Sequence, residues 1–166
     1  DLYRAPQAEA GTARLKVYAF GAPIALSRRV PVLENLGFSV SNERTYDLHL
    51  PMTAGKAAAY LHDMTIARAR NGNIDVDVME ERVEAALMAV FADQTESDRF
   101  NTLVVEAGLT WREAMVLRAY GRYLGQAGAP FAQNYLADVL AKYPEIARGL
   151  IELFGARFDP ERPGDN

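Results

Sequence analysis

The residues of this 166-residue chain best suited to chemistry fall into three groups, and each is weighed against a plainer role. His49 and His62 are the only histidines, and a hairpin could bring them together on a metal. Keeping the apolar faces of the hairpin together pairs Leu48 with His62, Tyr46 with Met64 and Leu50 with Tyr60. His49 then faces Leu61 on the opposite side, beside Asp47 and Asp63. A one-residue slip would join the histidines but bury Asp63 against Leu48, so structural or surface histidines are the expectation, with no metal. Glu80, Glu81 and Glu84 on one helix, with Asp93, Glu96 and Asp98 in the next connection, form the second group. A catalytic pair needs a shared, partly desolvated pocket that splits the two pKa values. These carboxylates lie instead on polar faces or at helix caps, where they complement helix N-termini. In the third group Arg112, Arg118 and Arg122 surround Trp111, Tyr120 and Tyr123. Basic and aromatic interleaving can stack single-stranded nucleic acid. With Glu113 close by and a net charge of −4, a packing interface at Trp111, Arg118 and Arg122 is expected instead. No catalytic residue is nominated.

Composition narrows the options further. The chain has no cysteine, which removes thiolate metal sites, thiol nucleophiles and disulfides, and fits a reducing cytoplasm. A pI near 5.2 speaks against a nucleic-acid partner. No apolar run approaches the roughly 20 residues of a membrane span. There is no Gly-x-Gly-x-x-Gly after a strand, no phosphate loop, no His-Glu-x-x-His and no Gly-x-Ser-x-Gly. A cofactor in this segment is therefore not expected. The start at Asp1, without Met or a signal pattern, suggests a piece of something longer.

The elements that must position these residues change character midway. Residues 1–14 carry no useful period and are expected to be a loose lead-in. Leu15 to Phe20 alternates as a strand, and Gly21-Ala22-Pro23 turns the chain, with Pro23 suited to open a helix. Leu26, Val30, Leu33 and Leu36 form one helical stripe, interrupted at Pro31 and ended by Gly37. Phe38, Val40, Tyr46, Leu48 and Leu50 are expected on one face of a long strand, bulged near its middle. A loop over 51–56, a return strand over 58–67 and a turn at Asn71-Gly72-Asn73 complete the first half. Asp77 to Glu80 has capping-box spacing ahead of a stripe of Met79, Val83, Leu87 and Val90. Thereafter the pattern is helical. Phe100, Leu103, Val104 and Ala107 precede Gly108, and a second capping box, Thr110 to Glu113, opens a helix carrying Ala114, Leu117 and Leu124. Two more helices follow, split by Pro144, with Tyr135, Leu136, Val139 and Leu140 on one and Ile146, Leu150, Ile151 and Phe154 on the other. The reading is thus α+β: an antiparallel module of about three strands and two helices over 15–93, a helical segment over 94–160 and a tail over 161–166.

Two stretches carry a family resemblance. Leu109-Thr110-Trp111-Arg112-Glu113-Ala114-Met115 and its continuation to Pro160, together with Ser27 to Phe38 and Asn42 to Tyr46, resemble the N-terminal, non-catalytic region of large bacterial NAD-specific glutamate dehydrogenases. Gly21, Leu26, Leu33, Leu36, Gly37, Phe38 and Val40 also look like the glycine turn, helix and exit of an ACT-like, ferredoxin-like module, with its last strand missing or displaced. Its first strand would be central, leaving an open edge that is expected to be covered by the C-terminal helices, a second copy or another part of the parent. The resemblance implies a parent that oxidises L-glutamate to 2-oxoglutarate and ammonium with NAD, the NAD lying elsewhere in that parent. It implies as partners the parent's catalytic domain, further copies in a homo-oligomer and an amino-acid effector. In ACT modules effectors bind near the first strand-to-helix turn, here Phe20, Gly21, Ala22 and Pro23. That turn has no acidic residue to hold an α-amino group, and Pro23 removes a donor. A stand-alone amino-acid sensor and a helical adaptor are the alternatives, and titration with amino acids separates them.

Overall fold

A computed structural model of the chain describes residues 1–6, 9–52, 55–70 and 72–158, the side chains of 50–52 and 55–57 excepted. Of the loop expected over 51–56, residues 51–52 and 55–56 belong to strands, while 53–54, Asn71 of the expected turn and the tail over 161–166 lie outside these residues. Strands β1 (Leu2–Tyr3), β2 (Thr12–Phe20), β3 (Phe38–Met52) and β4 (Gly55–Arg68) form one antiparallel sheet in the order β1-β2-β4-β3. Helix α1 (Leu26–Asn35) follows β2, and α2 (Val76–Phe91) follows β4. One sheet face contributes Ala13, Leu15, Met64 and Ile66 to a core shared with Val32, Leu33 and Leu36 beside α1 and Met79, Val83 and Leu87 of α2. On the other face Tyr18, Phe20 and Tyr46 stand exposed.

The lead-in is not loose. Leu2 pairs with Leu15 and Tyr3 with Arg14, which makes a fourth strand on the edge expected to be open. The cover comes from the chain's own first residues, not from the C-terminal helices. In a β-α-β-β-α-β unit the last strand lies beside the first, and β1 fills that slot from the opposite end of the chain. An open edge presents unpaired N–H and C=O groups, which a short segment can satisfy. Here the Lys16 N–H donates to the Asp1 carbonyl at 2.8 Å. Leu2 is fully buried, and its N–H donates to Glu84 Oε1 on α2 at 2.8 Å.

Local detail differs from the expected pattern in ways that shape the site. Helix α1 starts at Leu26 rather than at Pro23, and it continues through Pro31. Its inward side is Arg29, Val32 and Leu33, while Leu26 is half exposed. The bulge falls early in β3, between Val40 and Asn42. One extra residue moves every later side chain to the opposite face. Phe38 and Val40, opposite Arg68 and Ile66, therefore share the core face, whereas Tyr46 and Leu48, opposite Leu61 and Ala59, do not. His62 faces Thr45, not Leu48. Helix α2 begins at Val76 with Asp75 in the cap position, two residues earlier than the Asp77 box implied.

The second half is helical as expected, but in its last two helices the expected stripes are not the buried faces: Tyr135, Ile146 and Leu150 are exposed, and Ala137, Ala141 and Ala147 are buried instead. A 3-10 turn (Arg99–Asn101) leads into α3 (Thr102–Glu106), then α4 (Trp111–Gln126), α5 (Gln133–Lys142) and α6 (Pro144–Phe158). Phe100, Leu103, Val104 and Ala107 are all buried. The Thr110–Glu113 box is formed: the Glu113 N–H donates to Thr110 Oγ1 at 3.3 Å, and the Thr110 N–H to Glu113 Oε2 at 2.7 Å. Leu124, by contrast, is half exposed. Among the described residues no helix is long and apolar enough to cross a membrane.

Gly37 joins the two halves. Its φ of +95° suits glycine, and a Cβ there would stand 2.7 Å from Thr102 Oγ1 of α3. Gly37→Ala therefore combines backbone strain with a clash and is expected to cost about 1–3 kcal/mol. Leu2→Ala is expected to cost about 2–4 kcal/mol through loss of packing beneath the edge strand. Urea midpoints of the two variants, at unchanged slope, check both figures.

Candidate functional site

The bulge in β3 decides what lies beneath the β2–α1 turn. Past it, Glu43 and Thr45 point to the helix face, where an apolar strand would place core residues. They meet Arg29 from α1 and His62 from β4. Arg29 and His62 are both buried, His62 completely. Four hydrogen bonds join the group in one direction. The Ile24 N–H donates to His62 Nε2 at 3.1 Å. A backbone N–H can only donate, so Nε2 is the bare nitrogen and the ring proton sits on Nδ1. That N–H donates to Thr45 Oγ1 at 2.9 Å, and the Thr45 hydroxyl donates to Glu43 Oε1 at 2.6 Å. Arg29 Nη1 donates to the same oxygen at 2.9 Å.

Electrostatics follow from this arrangement. Burial pushes the His62 imidazolium below the ordinary histidine value and Arg29 pushes it further, while Glu43 works against both. The Thr45 hydroxyl, and after it Arg29, holds Glu43 below the usual carboxylate range despite partial burial. The turn itself is open: Phe20, Gly21, Ala22 and Pro23 are all exposed. Gly21 has φ +82°, and its N–H donates to the Ala58 carbonyl at 2.9 Å. The turn thus adjoins a relay that runs from the buried His62 and Arg29 to the half-buried Glu43 and the exposed Thr45.

A second polar assembly lies where α1, residues 93–97 and α4 meet around an open groove of about 1150 Å³. Arg118 is its hub and is buried. It reaches Asp98 twice, at 2.6 and 3.0 Å, Thr95 Oγ1 at 3.1 Å and Asn101 Oδ1 at 2.7 Å. Arg122 pairs with Glu96 and holds that carboxylate below its usual range. Asn35 Nδ2 donates to Ser97 Oγ at 3.0 Å, tying α1 to the same connection. Chemically this is a clamp. Asp98 and Glu96 are both committed to guanidinium partners, so neither is placed as a free acid or base.

The remaining sequence-nominated residues fall into place around these assemblies. His49 is exposed opposite Ala58, four residues along β3 from the Thr45 that meets His62, or roughly 13 Å of strand. Trp111 is half-buried against the core, with the Arg112 guanidinium 4.4 Å from its ring centroid. Arg118 is spent inside the chain, while Arg122 remains half exposed. Glu80 and Glu84 approach Asp1 at the surface, their ligand oxygens within 4.8 Å of one another, and Glu84 pairs with the terminal amine. Arg29, Glu43 and Thr45 were not nominated. A signal existed in Arg29, which interrupts an otherwise apolar stripe, but its partners depend on the bulge.

Removing the hub leaves a carboxylate facing a partly closed seam. Arg118→Ala is expected to cost about 2–3 kcal/mol, less than a fully buried pair because Asp98 keeps some solvent. Arg118→Lys is expected to recover little of it, since an ammonium cannot bond Asp98 twice while also reaching Thr95 and Asn101. Thermal unfolding of the two variants provides the comparison.

Similarity to known proteins agrees with this two-part build. Residues 1–79 match the family model described as glutamate dehydrogenase, ACT3 domain, and residues 95–160 match glutamate dehydrogenase, helical motif 3. The NAD-specific glutamate dehydrogenase of Halomonas elongata is 39% identical over 166 residues, which is 99% of this chain and 10% of that protein. The enzymes of the same name from Pseudomonas aeruginosa and Mycobacterium tuberculosis are 36% and 34% identical over 86% and 94% of this chain. The chain spans about a tenth of the length of these curated relatives. It belongs to the glutamate dehydrogenase family, and its halves correspond to that family's ACT3 domain and helical motif 3.

Proposed function

We propose that the chain acts as a packing and regulatory segment of an NAD-dependent glutamate dehydrogenase. The parent reaction is then the oxidation of L-glutamate by NAD with water to 2-oxoglutarate, ammonium and NADH, in the cytoplasm. The relatives' printed names supply NAD and glutamate, and their tenfold greater length leaves ample chain for a catalytic domain. The segment's share is structural, because its arginine–carboxylate groups are committed to one another.

One observation supports the packing role, namely an apolar face that is left exposed among the described residues. Tyr120 and Tyr123 on α4 and Leu150, Leu153 and Phe158 on α6 are each more than 40% exposed. Tyr120, Tyr123 and Phe158 adjoin Phe154, whose ring lies 6.2 Å from Tyr120 and 5.1 Å from Phe158. Single exposed apolar residues are ordinary, but a contiguous aromatic face marks a contact surface. The catalytic domain of the parent or a neighbouring subunit of a homo-oligomer is the partner this reading assigns. A second reading, effector sensing at Phe20 to Pro23, is favoured by the exposed turn over its polar relay.

Replacing Tyr120 and Phe154 together by Glu tests the packing role. In the full-length parent the double variant is expected to weaken assembly and reduce glutamate-dependent NAD reduction. The same changes in this chain alone should leave its helical circular dichroism unaltered. A parent that keeps both assembly and rate would remove the packing role, and NAD reduction by this chain alone would overturn the reading altogether. Titration of the chain with amino acids addresses the second reading, which predicts saturable amide shifts confined to residues 20–24.

A further inference from the structure

We propose that His62 is a proton-operated latch on the β2–α1 turn: bare at Nε2 it holds Ile24 and the start of α1, and protonated there it lets that segment go while the rest of the chain stays folded. This inference is independent of any effector and of the parent's activity.

The geometry makes the latch one-sided. Nε2 accepts from the Ile24 N–H, and Nδ1 is occupied by Thr45 Oγ1, so an added proton has only Nε2 to occupy. Two N–H groups would then point at each other at the buried ring, and the turn would lose its acceptor. The surrounding charges come from two elements. Arg29 on α1 opposes a second positive charge, and Glu43 on β3 stands 3.9 Å from Nδ1, already shared between Thr45 and Arg29. On the same face, Tyr60 lies two residues along β4 with Asp47 opposite it, and Val17 sits opposite His62 on β2.

What makes the release local is the thin anchorage of the segment it holds. From Phe20 to Arg28 no residue is buried; Arg29 is the first. Between Phe20, where the β2 ladder ends, and Arg28, which pairs with Asp93 and lies over the Phe91 ring, the segment is held chiefly by the Gly21 N–H on Ala58 and the Ile24 N–H on His62. Regions with few buried contacts open at much lower free energy than the core. Losing one of two tethers there is felt locally, whereas the core around Leu103 and Val83 has no such dependence.

The sign follows from the depressed affinity of the folded ring for its second proton. A group held below its unfolded value stabilises fully above that value, near pH 6.5 for histidine, and its contribution is lost as pH falls beneath it. The latch is thus closed at neutral pH and opens on the acid side.

Amide hydrogen exchange and ring nitrogen shifts of the isotope-labelled chain, followed from about pH 8 to about pH 5, test the proposal. The ring should carry its proton on Nδ1 at the upper end. As pH falls, the Ile24 and Gly21 amides should lose about tenfold in protection after correction for intrinsic rates, while Leu103 and Leu117 keep theirs. In His62→Gln the side-chain carbonyl can accept from Ile24 without titrating, so the Ile24 profile should become flat. A ring proton on Nε2 at the upper end, or Ile24 opening in step with Leu103, would overturn the latch, and both are readable without any variant.

Discussion

A single extra residue in β3 governs most of what distinguishes this chain. Before the bulge, Phe38 and Val40 complete the core; after it, Glu43 and Thr45 take the inward positions and Tyr46 and Leu48 the outward ones. Polar groups turned inward need partners, because a buried donor or acceptor left alone costs about 1–3 kcal/mol. The buried groups are Arg29 and His62, for which Glu43 and Thr45 supply partners, so a helix and a central strand each carry a polar residue where apolar ones would pack. Buried networks of this kind add little net stability over a well-packed apolar core. They do fix geometry, and here they fix the position of the β2–α1 turn.

The clamp at Arg118 does comparable work at the seam between the halves. Asp98, Thr95 and Asn101 come from the connection and the 3-10 turn, Arg118 comes from α4, and Asn35 reaches Ser97 from α1. Arg68 of β4 pairs with Glu106 of α3, and Gly37 makes room for Thr102. Alongside an apolar core that runs through both halves, these directional bonds hold the sheet module and the helical segment in one register.

Most elements whose period is local were legible in the sequence, the buried faces of the last two helices excepted, and those set by distant partners were not. Met79, Val83, Leu87 and Val90 are buried as their spacing implies, because a helix face is defined within its own turns. The Thr110–Glu113 box and the left-handed Gly37 are equally local. Leu2 and Tyr3 form too short a run to show a period, and their strand exists only because β2 offers an edge. The α1 stripe expected through Leu26 and Val30 is rotated: Arg29, Val32 and Leu33 form the inward side, with Arg29 bonded to Glu43. The hairpin register failed for the same cause: apolar matching cannot reveal where one inserted residue reverses the faces. The candidate site was therefore only half visible, the turn but not the relay beneath it.

The placement of β1 has a topological consequence for how the chain continues. A β-α-β-β-α-β unit ordinarily sends its chain back from the second helix to complete the sheet, so the polypeptide leaves from the sheet edge. Here the closing strand precedes the unit, and the chain has no return journey to make after α2. It passes directly from that helix into the next bundle. The sheet is thus complete before α2 ends, and the chain goes on into the helical segment without recrossing it.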